Sequence, residues 1–368
     1  MKIVYFIEDI TESGGVERII TQKASALADD YGHDVTIVAA YEIDRSIRFP
    51  LFSGVKVVSL GIKRARHGNP LATALDRISI FFLTILRFNR IVKAVQPDTI
   101  FYVWVLGAML LPFTRTMAAR IFESHSSRRN TPYKPFLWLM EHCADSVVCL
   151  TSGDADEYRH ARVKHVIPNF VDIPQQTMLP DYTVHRAIAI GRLVEAKGFD
   201  RLVRMWGHAV AEHPDWQLDI YGIGHLQDAL EKQIRDANLT HSIHLCGHTD
   251  DIHSACQKHS LHLMTSHAEG QPMVLIEAQS CGLPSLTFDF DYGARDVITS
   301  GASGIIVPQD DEQAFVLALC QLMQSAEQRA AMGLKAKDNV QRFSREHIMP
   351  LWDIQIAKRF NTKRLPIQ

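Results

Sequence analysis

The sequence predicts an α/β protein built from two doubly wound domains, each a parallel sheet with helices on both faces. Three observations carry this. The chain has 368 residues, too many for one ordinary core and enough for two domains of similar size. Short β-rich runs alternate with segments of helical apolar spacing, the pattern of βαβ units. The alternation stops once, at "HVIPNFVDIPQQTMLPDYT", where Pro168, Pro174 and Pro180 mark a linker before a second series begins.

"KIVYFI" opens the first series as a strand. Val16, Ile19, Ile20, Lys23, Ala24 and Leu27 then follow helical spacing. "DVTIVAA" and "VKVVSL" are the next strands, and Leu71 to Val95 reads as a long amphipathic helix. "TIFYVW", "RIFES" and "SVVCL" complete the first sheet. In the second series "RAIAIG", "WQLDIYG", "SIHLCG", "LHLM", "PSLTF" and "GIIV" are strands, with helices between. "SREHIMPLWDIQIAKRF" is helical after the second sheet ends. The expected division is a first domain over 1–168, a second over 169–343 and a C-terminal helix over 344–368.

Composition narrows the class. Hydrophobic residues make up 46% and charged residues 22%, a globular balance. The net charge of −2 gives no global case for a nucleic-acid binder. The six cysteines contain no CxxC pair and read as reduced core thiols of a cytoplasmic protein. The start "MKIVYFIEDI" reads as a strand rather than a signal peptide. The longest apolar run, Ile100 to Phe113, is about 14 residues against the ~20 that span a bilayer. The average charge hides an asymmetry: from Arg45 to Lys134 there are fifteen Lys or Arg against three acids, Asp76, Asp98 and Glu123. "IKRARHGNP" leads into a helix carrying Leu75, Ile78, Phe81, Phe82, Ile85 and Phe88. Such a segment either docks on anionic lipid or is a core helix with a solvated basic face.

Ligands of open α/β sheets bind at the carboxyl ends of the strands, and four loops there draw attention. In "ESGGVER", Gly14 and Gly15 allow a tight turn and expose helix N–H groups to an anion, although glycines at a helix entry are common. In "AIGRLVEAKGFDRLV", Arg192 and Lys197 lie five apart at a strand-to-helix loop. They either converge on a diphosphate, Arg as a fork and Lys as a point charge, or are a solvated charged loop. In "YGIGHL", Gly222 and Gly224 follow a strand and open another helix, but the dinucleotide fingerprint is absent. In "TSHAEGQPMVLIEAQSCG", Glu269 sits at a Gly/Pro break and Glu277 in the apolar run beyond. Pro272 suits a helix start, and the backbone of Gly270 to Met273 could face an anion, although acidic helix starts are ordinary. Together these loops point to a ligand with phosphates and hydroxyls.

The second half resembles the retaining GT-B glycosyltransferases of family 4. Their signature is "GRL…KG-x-D-x-L", a "Y/G-x-G" turn, a strand ending in glycine, and "S-x-x-E-G-x-P-x-x-x-x-E-A-x-x-x-G-x-P". The chain reads "GRLVEAKGFDRLV", "IYGIGHL", "HLCGH" and "SHAEGQPMVLIEAQSCGLP", over about residues 168 to 325. The first half matches more loosely, through "ESGGVERII", "ESHSS" and "VIPN". The resemblance implies two Rossmann-like domains facing across a cleft, with the C-terminal helix returning to the first. It implies a nucleotide-sugar donor, UDP being the commonest carrier, and no catalytic metal or other cofactor. Glu269 and Glu277 look like the family's E-x7-E pair, Glu269 on the donor sugar and Glu277 on the ribose. Arg192 and Lys197 would neutralise the leaving diphosphate. Gly14, Gly15, Gly222, Gly224, Gly247, Gly270, Gln271, Pro272, Met273 and Val274 would line the donor. His125, in "FESHSS", matches a histidine that approaches the sugar's hydroxyls in relatives, with Glu123 as its orienter.

A carboxylate engaged on ribose cannot also attack the anomeric carbon, so the two glutamates are not a glycosidase pair. The resemblance implies front-face attack with retention. "DFD" at Asp289 to Asp291 is the nearest string to a metal-binding D-x-D and reads as a loop. His241, His244 and His248 have helical spacing but fall on a strand and its end, which disfavours a metal site. If the basic segment docks on lipid, the expected acceptor is a glycan or lipid-linked sugar at the inner face of a bacterial membrane, in surface polysaccharide assembly; the charge of the first domain also suits a phosphorylated soluble acceptor. Competing readings are an epimerase or phosphorylase of the same architecture, and a non-catalytic nucleotide-sugar binder. The intact set of Arg192, Lys197, Glu269 and Glu277 argues against the binder.

Overall fold

The computed structural model describes residues 1–12, 14–64, 70–129, 131–132, 134–173 and 178–363. It divides into two compact units, Met1–Phe170 with Ile348–Gln368, and Val171–His347. Ser13, Pro174 of the linker and Arg66 of the basic segment lie outside the described residues, as does the side chain of Leu75.

The first unit runs β1 (Lys2–Ile7), α1 (Gly15–Asp29), β2 (Asp34–Tyr41), β3 (Lys56–Ile62), α2 (Pro70–Val95), β4 (Thr99–Val103), α3 (Trp104–Leu110), β5 (Ala119–Ser124), α4 (Lys134–Cys143), β6 (Ser146–Cys149), α5 (Ser152–Glu157) and β7 (Lys164–Val166). All seven strands are parallel, in the order β3-β2-β1-β4-β5-β6-β7. Strands covered on both faces read as continuous apolar runs, and β1 is buried at every residue after Lys2. The sequence reading missed β7. Its three residues, "KHV", are too short and too exposed to show a pattern, and only pairing with β6 makes them a strand. Trp104, read there as the end of a strand, instead opens α3 at a φ of +63°. A bulky side chain in the left-handed region costs about 1–3 kcal/mol.

The second unit runs β8 (Arg186–Ile190), α6 (Phe199–Glu212), β9 (Gln217–Tyr221), α7 (Gln227–Asp236), β10 (Ile243–Gly247), α8 (Ile252–Cys256), β11 (Leu261–Met264), α9 (Met273–Ser280), β12 (Ser285–Phe288), α10 (Ala294–Val297), β13 (Gly304–Val307), α11 (Glu312–Gln324) and α12 (Ala326–Val340). Its six parallel strands lie in the order β10-β9-β8-β11-β12-β13. Helix α6 buries Leu202, Val203, Met205, Trp206, Ala209 and Val210, one face at helical spacing. The last helix, α13 (Arg345–Lys363), belongs from Ile348 onward to the first unit, where Ile348, Met349 and Trp352 join the core.

In each sheet the strand order reverses once, between β1 and β4 and between β8 and β11. Open sheets bind ligands in the crevice outside the carboxyl ends of the strands at such a reversal.

The basic bias of the first unit is smaller than the count of residues implies. Arg45 and Arg64 both pair with Asp9 and Glu12, Lys56 with Asp34, and Arg128 with Glu141. These four acids lie outside the 45–134 window and meet its cations only through the fold. Helix α2 turns Phe88 into the core and packs Phe81 and Ile85 against it. Its outer face carries Ile78, Phe82 and Leu86, 54%, 58% and 59% exposed. Among the described residues no helix is long and apolar enough to cross a membrane. All six cysteines are free; Cys246 is exposed rather than in a core.

Candidate active site

The two loops flanking the reversal in the second sheet are stitched together. After β8 the chain makes a single 3-10 turn over Glu195–Lys197, then passes through Gly198 at a φ of +62° into α6. A Cβ on Gly198 would stand 2.2 Å from the Thr265 carbonyl oxygen, so only glycine fits. The Thr265 hydroxyl donates to the carbonyls of Lys197 (3.2 Å) and Gly198 (3.0 Å), and the His267 N–H donates to that of Ala196 (2.8 Å). The result brings Lys197 to Glu269. Lys197 Nζ donates to Glu269 Oε1 at 2.6 Å, and the Ser266 hydroxyl donates to the same oxygen at 2.6 Å. The sequence reading gave these two residues separate partners; the fold pairs them with each other. Both side chains are partly buried, at 20% and 12% exposure.

Arg192 sits on the first of these loops with an exposed side chain and no ion-pair partner among the described residues. The glycines of the neighbouring strand end shape its backbone. Gly222, at a φ of +154°, would place a Cβ 1.8 Å from the Gly191 carbonyl oxygen, and Gly224 would place one 2.2 Å from that of Leu193. The Leu193 N–H donates to Ile223 O (3.0 Å) and the Gly222 N–H to Gly247 O (2.7 Å). Gly222 and Gly224 therefore let the β9 loop press against the Arg192 turn. They do not open α7, which begins at Gln227.

Pro272 is the N-cap of α9, and Met273 and Val274 are its first two residues. Gly270 and Gln271 lie in the preceding loop, Gln271 buried. Glu277 is one turn inside α9, 7% exposed. Gly293, at a φ of +101°, brings the loop after β12 against Pro272. In that loop Asp289 is held bidentate by Arg295, with contacts of 2.9 and 2.5 Å, so one end of "DFD" is already engaged.

Sequence reasoning missed Arg201. Its side chain is buried at the start of α6. Its guanidinium donates to the carbonyls of Thr265 (2.8 Å) and Ser266 (2.7 Å), binds Asp310 (2.7 Å) and stacks 4.1 Å from the Phe288 ring. It pins the loop that carries Glu269. The available signal was its place at the end of "KGFDR", but nothing in the spacing marked it as buried.

Gly14, Gly15 and His125 belong to the first unit. Gly14 is the N-cap of α1 with no side-chain cap of its own; a Cβ on Gly14 would meet the Glu17 carboxylate at 2.3 Å, while a Cβ on Gly15 would meet open space. Glu17 in that first turn is buried, which raises its pKa; bonds to its own backbone N–H, to Trp104 and to Gly14 only partly offset the rise. His125 follows β5 and its side chain is 2% exposed. Its Nε2 lies 3.0 Å from Glu123 Oε2, and Lys23 Nζ donates to the same oxygen. His241, His244 and His248 form no metal-holding group among the described residues. The group with suitable ligand spacing there is Glu212, His213 and Cys320, at the far end of α6 and on α11.

Comparisons with known proteins give the family and the fold. Residues 13–175 match the model of Glycosyltransferase Family 4, and residues 180–339 that of Glycosyl transferases group 1. Taken with the two doubly wound sheets, these define the class: the chain belongs to the group 1, family 4 glycosyltransferases and has the two-domain GT-B fold. An uncharacterized glycosyltransferase of Haemophilus influenzae is 25% identical over 95% of this chain and 98% of its own length. The amylovoran biosynthesis glycosyltransferase AmsD of Erwinia amylovora is 24% identical over 96% and 98%. The poly(glycerol-phosphate) alpha-glucosyltransferase of Bacillus subtilis is 30% identical over 55% of this chain, but only 30% of that enzyme is matched. Among solved structures, S. aureus TarM in complex with UDP superposes with a TM-score of 0.78 at 16% identity, covering 96% of this chain and 99% of that one. Sucrose-phosphate synthase from Thermosynechococcus elongatus gives 0.82 at 17%, covering 98% and 99%.

Proposed function

We propose that the chain moves a hexose-type sugar from a UDP-sugar to a glycan or lipid-linked acceptor, with retention and without a metal, in bacterial surface polysaccharide assembly. The observation that carries this is the second unit's strand-end pair. Lys197 and Glu269 meet where the sheet reverses, with the unpaired cation Arg192 on the same loop. Negative charge builds on the leaving diphosphate, and fixed cations stabilise it there without reorganisation. Arg192 supplies a fork and Lys197 a point charge. Once Lys197 turns to phosphate, Glu269 still receives the Ser266 hydroxyl and can accept from a sugar hydroxyl. Glu277, one turn into α9, takes the ribose. His125 is assigned a sugar hydroxyl in this reading. The leaving phosphate accepts the proton of the attacking hydroxyl on the same face, which retains configuration. Relatives support the donor and setting: TarM and a pneumococcal O-GlcNAc transferase form complexes with UDP, and AmsD is a glycosyltransferase of amylovoran biosynthesis.

We further propose that the acceptor side works at the inner face of the membrane, with the protein cytoplasmic and peripheral. Ile78, Phe82 and Leu86 form an exposed stripe on α2 that ends in the exposed Arg90. Phe81 links this helix to Phe113 and Phe136 by edge contacts of 5.6 and 6.3 Å, and α4, which carries Phe136, also carries the exposed Trp138. Exposed apolar side chains next to a cation suit an anionic bilayer surface.

The test is nucleotide release from a panel of UDP- and GDP-sugars, with and without EDTA. One UDP-sugar is expected to turn over, unaffected by EDTA, and turnover is lost in Glu269→Ala and Lys197→Ala. Release abolished by EDTA would overturn metal independence. Failure to bind any nucleotide would overturn the site itself. The anomeric configuration of the product, read by NMR, tests retention.

A further inference from the structure

The first unit contains a buried ion pair that its chemistry does not otherwise explain. Lys23, in the third turn of α1, is completely buried, and Glu123 at the end of β5 is 2% exposed. An ammonium is rarely left fully buried unless paired. Here Nζ donates to Glu123 Oε2 and lies 3.8 Å from the Trp352 ring and 5.8 Å from that of Tyr5. Trp352 comes from the C-terminal helix α13, so the cation is enclosed by α1, β1, β5 and α13. Burial lowers the Lys23 pKa, and the Glu123 charge and hydrogen bond oppose that fall; an aromatic face at that distance also favours the charged form. The Glu123 oxygen that receives Lys23 also faces His125 Nε2 at 3.0 Å.

The charge states follow. Burial alone would raise the Glu123 pKa, but the Lys23 charge and the bond from His125 bring it below its ordinary value. Glu123 is therefore a carboxylate, which only accepts hydrogen bonds. His125 must then carry its proton on Nε2. Burial lowers the His125 pKa first, and the Lys23 charge lowers it further against the pull of Glu123, so the ring is neutral. What remains is Nδ1, an acceptor with no hydrogen bond among the described residues.

We propose that Lys23 is a positioning residue for sugar transfer: clamped between Trp352 and Glu123, it holds the Glu123 carboxylate that fixes His125 as the Nε2–H tautomer, with Nδ1 free to accept from a donor-sugar hydroxyl. This rests on the proposed function, which puts His125 at the sugar; the pairing of Lys23, Glu123 and His125 does not. A hydrogen-bond acceptor is effective only when its lone pair is aimed, and loss of that aim costs kcat more than binding.

The experiment reads tautomer and turnover separately. Ring 15N NMR of the ligand-free protein, with the signal assigned by His125→Asn, is expected to show one neutral Nε2–H tautomer through about pH 6–8. In Lys23→Met, His125 is expected to become an imidazolium paired with Glu123, or to lose its single tautomer within that range. With the UDP-sugar that gives release, kcat falls about ten- to a hundredfold with little change in KM. The kcat profile also acquires a pH dependence that the wild type lacks. Lys23→Arg restores the tautomer in part. Should Lys23→Met not fold, Glu123→Gln carries the test, because its amide can donate to Nε2 and shift the proton to Nδ1. An unchanged His125 signal in a folded variant overturns the proposal. A changed tautomer with unchanged kcat shows instead that His125 is not at the sugar, which overturns that part of the functional reading while the pairing stands.

Discussion

Each unit holds a lysine–glutamate pair at the carboxyl ends of its strands, and the two pairs differ in one respect that decides their roles. Lys197 and Glu269 are 20% and 12% exposed, while Lys23 and Glu123 are 0% and 2% exposed. Water reaches the first pair, so its net contribution to stability is small and a charged ligand can replace either partner. The second pair is sealed, so removing one partner strands a charge in a medium that cannot solvate it. The same two residue types thus serve a site that opens to ligand and a support that does not.

Exchanging the pairs in experiment tests this directly. Lys197→Ala is expected to lower donor turnover by about 10²–10³-fold while shifting unfolding free energy by less than about 1 kcal/mol. Lys23→Met should cost about 3–5 kcal/mol in urea titration. Equal destabilisation in the two variants would break the comparison. A smaller effect comes from the glycines behind Arg192. A Cβ in Gly222→Ala would meet the Gly191 carbonyl oxygen at 1.8 Å, and we expect about 1–3 kcal/mol of strain together with weaker nucleotide binding by calorimetry. If nucleotide affinity is unchanged, the Arg192 loop does not depend on that contact.

Acid sharpens the contrast between units. His262 in β11 is fully buried and its pKa is pushed down to about 3 by burial, from 6.5. The folded state then binds fewer protons than the unfolded state between those values, so the second unit loses stability as pH falls through 6.5, at most about 1.4 kcal/mol per pH unit, and the loss levels off below 3. His262→Leu should flatten that dependence in pH-resolved urea titrations. Last, Phe82→Ser and Leu86→Ser should each weaken binding to anionic vesicles about tenfold without altering turnover of a soluble donor. Binding unaffected by both would remove the α2 stripe from the membrane reading.

Much of the second unit was legible because its function is local in sequence. Arg192 and Lys197 lie five residues apart on one loop, and Glu269 and Glu277 flank one helix start. The glycines at 198, 222 and 293 sit where the chain turns sharply, and short-range patterns record such turns. The first unit was harder to read. Its acids at 9, 12, 34 and 141 neutralise cations far away in sequence, so a window count of charge overstated its basic character.

The sequence by itself determined the class: two alternating series set the sheets, apolar strand runs required helices on both faces, and the loop motifs named the candidate site. Only the tertiary structure decided which charges meet. Pairing of Lys197 with Glu269 spans 72 residues and that of Lys23 with Glu123 spans 100. Parallel sheets join strands through long crossovers, so residues at neighbouring strand ends are distant in the chain. Whether such a pair is sealed or open depends on what packs over it, and for Lys23 that includes Trp352, brought from near the C-terminus. Neither proximity nor burial of this kind leaves a periodic trace in the sequence.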